Sequence, residues 1–257
     1  MLRRPGFPVR LDGSAAPATA GTRMAAAAQV GSGADRPGGI GLDSQAVRAR
    51  MVQRLAAHGV SDAQVLAAMG AVERHRFVDT ALVNQAYEET SLPIGLGQTI
   101  SKPNVVARMI ELLLGGAKGP AGRLGRVLEV GTGCGYQAAV LSLVATEVYS
   151  IERLRGLHER ARGNLRHFRL PNVHLLFGDG MAGYPKGAPY AGIIAAAGGD
   201  AVPPAWIEQL AVGGRIDAPM LMPDGRQALL LMEKTVREMK QTVLEPVHFV
   251  PLKSGIA

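Results

Sequence analysis

The 257-residue chain contains one cysteine, Cys134. That count excludes an intramolecular disulfide and a cysteine-cluster metal site, and no metal is expected in its function. It is consistent with a reducing compartment. Aromatic residues make up only 4% of the chain, so aliphatic packing is expected to dominate the core. No apolar stretch reaches the length needed to cross a bilayer, and no membrane partner is expected. Dense Lys/Arg tracts with interleaved aromatics are also missing, although the formal net charge is +7. Nucleic acid is therefore not an expected partner. Much of the positive excess sits in the first 38 residues, where Arg3, Arg4, Arg10, Arg23 and Arg36 face only Asp12 and Asp35, a net +3.

Residues 1–40 are rich in Ala, Gly, Pro, Ser and Thr and show no sustained apolar periodicity, the composition of a disordered or weakly ordered extension. Arg3-Arg4 resembles the start of a twin-arginine export signal, but the apolar core of about 7–15 residues that must follow is broken by Pro, Asp and Gly. A cytoplasmic protein is expected. With 47% hydrophobic and 19% charged residues overall, 41–257 has ample material for a single domain. Within it, 41–103 is expected to hold helices and a shaped loop, and 104–257 an α/β core.

The most informative stretch is 127–137, Val-Leu-Glu-Val-Gly-Thr-Gly-Cys-Gly-Tyr-Gln. Val127, Leu128 and Val130 form the short apolar run of a strand buried on both faces. Gly131, Gly133 and Gly135 let the backbone turn sharply and approach a ligand closely. The residues that follow are good helix formers, so a helix N-terminus points its free N–H groups at whatever lies over the turn. A dinucleotide fingerprint requires its third glycine at the sixth position of the loop; that position is Tyr136. Carboxylates sit at three strand ends: Glu129 two residues before the loop, Glu152 closing a strand at 147–151, and Asp179 after a strand at 173–177. Such a set fits a nucleoside with a charged amino-acid tail and resembles the S-adenosylmethionine site of the class I methyltransferases.

Downstream, strands and helices alternate: strands at 147–151, 173–177 and 190–195, helices at about 153–167 and 205–210, then strands at 215–220, 228–232 and 247–252. Alternation implies a doubly wound, mostly parallel sheet covered on both faces. The short final turns imply antiparallel strands at the C-terminal edge. Upstream, Val47, Met51 and Leu55 recur at helical spacing before Gly59 ends that helix. Ser61 is placed to cap the next one, with Gln64 completing a capping box and Val65, Leu66 and Met69 facing the core. His75 sits among charges and reads as a surface histidine. Pro93, Gly95, Gly97 and Pro103 make 92–103 a constrained loop rather than a regular element, just before a helix over 104–114. Loops in that position fold over the ligand face of an α/β sheet.

With these segments in view, residues 42–257 resemble the bacterial protein-L-isoaspartate O-methyltransferases. The resemblance is carried by 93–101 (Pro-Ile-Gly-Leu-Gly-Gln-Thr-Ile-Ser), 127–137, 150–153 (Ser-Ile-Glu-Arg), 178–180 (Gly-Asp-Gly), 213–215 (Gly-Gly-Arg) and 249–252 (Phe-Val-Pro-Leu). It implies a Rossmann-like, seven-stranded class I methyltransferase with an N-terminal helical appendage. Its methyl donor would be S-adenosylmethionine, its product S-adenosylhomocysteine, and its partners isoaspartyl-containing proteins and peptides met by a monomer. By the same resemblance Ser101 is catalytic, holding the substrate carboxylate. Gln98, Thr99 and Ile100 lie beside the cofactor, and Gly131, Thr132, Gly133, Gly135, Gln137 and Glu129 face its methionine portion. Glu152 takes the ribose hydroxyls, and Asp179 with Gly180 the adenine. Cys134 reads as a small filler. The chain departs from the family pattern at Ala191, where an Asp is usual, at Asp217, which interrupts an apolar strand, and across 195–200.

Two other readings share the nucleoside fold: a methyltransferase acting on RNA or a small molecule, and a non-catalytic nucleoside-binding module. Calorimetry separates the second, which would bind cofactor without turnover. Because the composition of 1–40 cannot bury enough apolar surface to order itself, deleting these residues is predicted to leave thermal stability and cofactor affinity unchanged. A large loss of either in the truncated protein contradicts that reading.

Overall fold

The computed structural model describes residues 45–116 and 122–257, so the expected extension 1–40 lies outside the described residues. The described residues fall in one compact unit of the chain. Helix α1 (Gln45–Ala57) turns Met51 and Leu55 inward, four residues apart on one face, and α2 (Ala63–Ala71) buries Val65, Ala68 and Met69. The cap of α2 is Asp62, not the expected Ser61. Asp62 Oδ1 accepts from Gln64 N at 2.8 Å and Val65 N at 3.1 Å, satisfying two of the helix's free donors. Ser61 is drawn away by Glu111, whose Oε1 accepts from Ser61 N, Ser61 Oγ and Asp62 N. Two 3-10 turns follow, Arg74–Phe77 and Thr80–Gln85. His75 is no free surface group: its Nδ1 lies 2.7 Å from Tyr87 Oη.

The segment expected as an irregular loop is a small antiparallel hairpin of β1 (Leu92–Gly95) and β2 (Gln98–Ile100). Its turn strings together three left-handed residues, Gly95, Leu96 and Gly97, with φ of 89°, 53° and 70°. Glycine adopts this conformation freely, whereas at Leu96 it strains the backbone.

The main sheet is built from β3 (Leu124–Val130), β4 (Ala145–Glu152), β5 (Val173–Phe177), β6 (Tyr190–Ala195), β7 (Leu210–Leu221), β8 (Gln227–Lys234) and β9 (Met239–Pro246). Their order is β5-β4-β3-β6-β7-β8-β9. Strands β3 to β7 pair in parallel, and β8 and β9 antiparallel. Helices α3 (Pro103–Leu114), α4 (Tyr136–Val144) and α5 (Arg155–Leu165) feed the core on one face of the sheet; α6 (Pro204–Gln209) sends Trp206 into the core on the other. The chain runs outward from β3 through β4 to β5, then returns to β6 on the opposite side of β3. That reversal opens a crevice at the carboxyl end of β3, where ligands of such sheets bind.

One expectation fails at the C-terminal side. The last strand is β9, whereas 247–252 makes only a single bridge, Pro251 to Gly198. Most of β9 is exposed, so it carries no apolar period to read, while Val250, Pro251 and Leu252 are apolar because they line a cavity. The departures at 191 and 217 are both interior: Ala191 is 6% exposed and Asp217 wholly buried. Asp217 sits between Ile194 of β6 and Leu231 of β8, and neither carboxylate oxygen has a hydrogen-bond partner. Burial pushes its pKa well above the ordinary carboxylate range, Glu245 adds to the rise, and Arg108 opposes it.

An unpartnered buried carboxyl destabilises the fold. Asp217→Val is predicted to raise stability by about 1–3 kcal/mol, the cost of burying an unsatisfied polar group. The sign with pH follows from the raised folded pKa: above about pH 4 the unfolded chain releases this proton and the folded one keeps it, so wild-type stability falls as pH rises. Urea unfolding at low and neutral pH should show the advantage of Asp217→Val widening with pH; a constant or shrinking advantage contradicts the assignment.

Candidate active site

The turn from β3 into α4 is set by Gly131, Gly133 and Gly135, with φ of 92°, 57° and 91°. Side chains rarely tolerate this region, and a Cβ on Gly135 would also meet Leu165 Cδ1 at 3.0 Å. The turn is tied to β4. Gly131 N and Thr132 N donate to Ile151 O at 2.9 and 3.2 Å, and Gly133 N donates to Glu152 Oε2 at 2.9 Å. The other Glu152 oxygen accepts from Leu154 N at 2.8 Å. Glu152 is only 4% exposed, yet each of its oxygens retains a free lone pair.

Above the turn lies a cavity of about 430 Å³, within the range of small-molecule sites. Of the residues expected at a cofactor, Gln98, Thr99, Ile100, Ser101, Gly131, Thr132, Gly133, Gln137, Glu152 and Gly180 line it. Gly135, Glu129 and Asp179 are not among its lining residues. Gly135 shapes the turn from below. Side chains alternate along β3, so Glu129 lies on the other sheet face from Val130, beneath Thr132 and Gln137, which line the cavity. There Ser150 Oγ donates to Glu129 Oε2, and Ser150 Oγ lies 2.6 Å from Thr132 Oγ1. Burial pushes the Glu129 pKa up to about 8, helped by Glu152 and opposed by the Ser150 and Gln137 side chains. Through Ser150 it supports Thr132 from beneath.

Asp179 is engaged at both oxygens, accepting from Met181 N at 2.9 Å and from Gly255 N at 2.7 Å. The second bond comes from just beyond the segment 247–252 that sequence reasoning read as a strand. Residues 250–253 line the cavity. On one side Gly198 N donates to Val250 O at 2.8 Å; on the other Arg155 N donates to Ala257 O at 2.8 Å. The segment crosses the carboxyl edge of the sheet as a roof. Its apolar composition was visible; its partners, far away in sequence, were not.

These walls fit a nucleoside carrying an amino-acid tail. Glu152 would accept from a ribose diol. Gln137 lines the wall beside the Glu129 carboxyl, and with the free N–H groups that open α4 it would donate to a carboxylate. Ile94, Ile151, Leu157 and Leu252 supply apolar surface for a base. A second cavity of about 410 Å³ adjoins the first, and the two share Thr99, Ser101, Ala196 and Val250. Ser101 therefore stands at the doorway between the cofactor chamber and the outer cleft beside it.

The switch-point cavity and the glycine turn on this seven-stranded sheet define a class I, S-adenosylmethionine-dependent methyltransferase. The model of the family described as protein-L-isoaspartate(D-aspartate) O-methyltransferase matches residues 46–257. A protein-L-isoaspartate O-methyltransferase of Methylibium petroleiphilum is 55% identical over 262 residues, covering 98% of this chain and 96% of its own. That of Ralstonia nicotianae is 53% identical over 250 residues, covering 93% and 78%. A solved protein-L-isoaspartate O-methyltransferase superposes with a TM-score of 0.72 at 30% identity, over 81% of this chain and 67% of its own. A Plasmodium falciparum structure in complex with S-adenosyl-L-homocysteine shares the fold with a TM-score of 0.66 at 21% identity, over 80% and 98%. The chain belongs to the protein-L-isoaspartate(D-aspartate) O-methyltransferase family.

Glu152→Gln keeps a hydrogen-bonding side chain but removes the charge. If the carboxylate holds the ribose, S-adenosylmethionine affinity falls by about 10–100-fold, the scale of a hydrogen bond to a charged group; the free protein also loses some stability, because the amide nitrogen cannot accept from Gly133 N or Leu154 N. Calorimetry that returns an unchanged dissociation constant contradicts the ribose assignment.

Proposed function

We propose that this protein transfers a methyl group from S-adenosylmethionine to the free α-carboxylate of L-isoaspartyl residues in damaged proteins and peptides. The ester then closes to a succinimide, and hydrolysis restores part of the normal aspartate. The observation that carries the substrate side of this reading is the position of Ser101, which lines both the cofactor chamber and the outer cleft.

The bound cofactor supplies a methyl group on a positively charged sulfur. The acceptor is a carboxylate already ionised at neutral pH, so the protein needs no strong base. Its task is alignment, and rate comes from proximity and orientation. Ser101 Oγ would donate to one carboxylate oxygen and leave the other facing the chamber. Thr99 and Val250 narrow the doorway, and the roof at 250–253 covers part of the chamber. Gln98, Thr99, Ile100, the glycine turn, Gln137, Glu152 and Gly180 form the cofactor wall in this reading, with Glu129 and Asp179 bracing it from outside. The catalytic domain is taken as 41–257, acting as a monomer in the cytoplasm. No helix among the described residues is long and apolar enough to cross a membrane.

Labelled S-adenosylmethionine should mark an isoaspartyl peptide and leave its aspartyl twin unmarked. Equal labelling of both, or of neither, contradicts the proposal. Ser101→Ala is predicted to slow single-turnover methylation by about tenfold to several hundredfold, the effect of losing one oriented donor, with a much smaller change in cofactor affinity. Ser101→Thr should retain more activity than Ser101→Ala. Wild-type rates in the alanine variant would remove the hydroxyl from the mechanism.

A further inference from the structure

Arg74 is fully buried, an expensive place for a guanidinium. Its Nε donates to Ala86 O at 2.7 Å and its Nη2 to Ser101 O at 2.7 Å. The plane lies over the Tyr136 ring, with Cζ 4.8 Å from the centroid, and Nη1 has no hydrogen-bond partner. Among the described residues no carboxylate comes within ion-pair distance of it. Glu89 acts on it only through space; that carboxylate accepts from Asn104 N at 3.2 Å instead. The stretch 101–104 is thus gripped from both ends, its carbonyl by Arg74 and its amide by Glu89.

A buried positive charge held by two carbonyls and a ring face is normally balanced by an anion. Among the described residues no carboxylate pairs with it, and Glu89 acts only through space. The group whose arrival would balance it is the carboxylate that Ser101 receives. We propose that Arg74 is a positioning residue for methyl transfer: it fixes the backbone from which the Ser101 hydroxyl projects, braces that segment against the helix opened by Tyr136, and supplies a positive charge, paired directly with no described carboxylate, that draws the substrate carboxylate to the doorway. This rests on the reading of Ser101 as the carboxylate's partner. Arg74 touches neither substrate nor cofactor; it acts through Ser101 and through its field, which is strong because water is excluded around it.

The test compares two ligands in three proteins. The ligands are an isoaspartyl peptide and the same peptide with its α-carboxylate converted to the amide, the binding of each read by calorimetry. The proteins are wild type, Arg74→Met and Arg74→Lys. In wild type the carboxylate peptide should bind more tightly than the amide. In Arg74→Met that preference should fall by about tenfold or more, the scale of one interaction with a charged group, while S-adenosylmethionine affinity by calorimetry changes little. Arg74→Lys keeps the charge but not the fork, and should keep most of the preference while losing turnover. If Arg74 were only a structural strut, both peptides would weaken in parallel, and that result overturns the proposal. If Arg74→Met does not fold, Arg74→Lys decides alone: reduced turnover with the preference kept supports the role, and unchanged turnover overturns it. Ser101→Ala run alongside separates the two readings. Wild-type rates there remove Ser101 as partner, whereas a lost preference in Arg74→Met would still stand.

Discussion

The structure depends on one carboxylate that joins two strand ends. Glu152 closes β4 and accepts the amide of Gly133 in the turn that leaves β3. Without it, a turn of three left-handed glycines would have many conformations to choose from, since each glycine surrenders more freedom on ordering than any other residue. A charge-assisted bond to a backbone amide is among the stronger restraints a side chain can apply. It holds the turn open beneath the cavity and fixes the direction in which α4 starts. The same carboxylate keeps lone pairs toward the chamber, so the group that shapes the site also faces its ligand.

The helical appendage is coupled to this turn rather than added beside it. Tyr136, directly after the last glycine, is packed edge-on against Phe77 at 5.5 Å between centroids and lies under Arg74. Arg74 in turn holds Ser101. A continuous chain of contacts therefore links the turn under the cofactor to the residue that faces the substrate. Both ends are fixed by groups whose own positions are set by burial, which suits a reaction whose rate comes from alignment.

How much of this could be read from the sequence follows from the range of each interaction. The β3–turn–α4 unit was legible because strand, glycines and helix formers follow one another within eleven residues. So were the parallel strands, whose double burial leaves unbroken apolar runs. The hairpin at 92–100 was not, because its strands have only four and three residues and a left-handed Leu96 has no sequence signature. The cap of α2 went to Asp62 because Glu111, about fifty residues away, takes Ser61. Glu129 reads in the sequence as a ligand-facing acid; the fold sets it on the other sheet face from Val130, beside Gln137 in the cavity wall. Arg74 left no signal: within Glu-Arg-His-Arg it resembles a solvated charge run, and only the fold brings Ala86, Ser101 and Tyr136 around it. Asp179 likewise meets Gly255 only through the path of the C-terminal roof.

The account stands on Ser101 and Glu152 being the two fixed points between which methyl transfer is aligned. A crystal structure with S-adenosylhomocysteine and an isoaspartyl peptide bound together tests this most directly. The account predicts a peptide carboxylate oxygen within hydrogen-bonding distance of Ser101 Oγ, its other oxygen facing the cofactor sulfur, and the ribose hydroxyls on Glu152. A carboxylate bound away from Ser101, or a ribose held elsewhere while Glu152 keeps only its backbone partners, would contradict it.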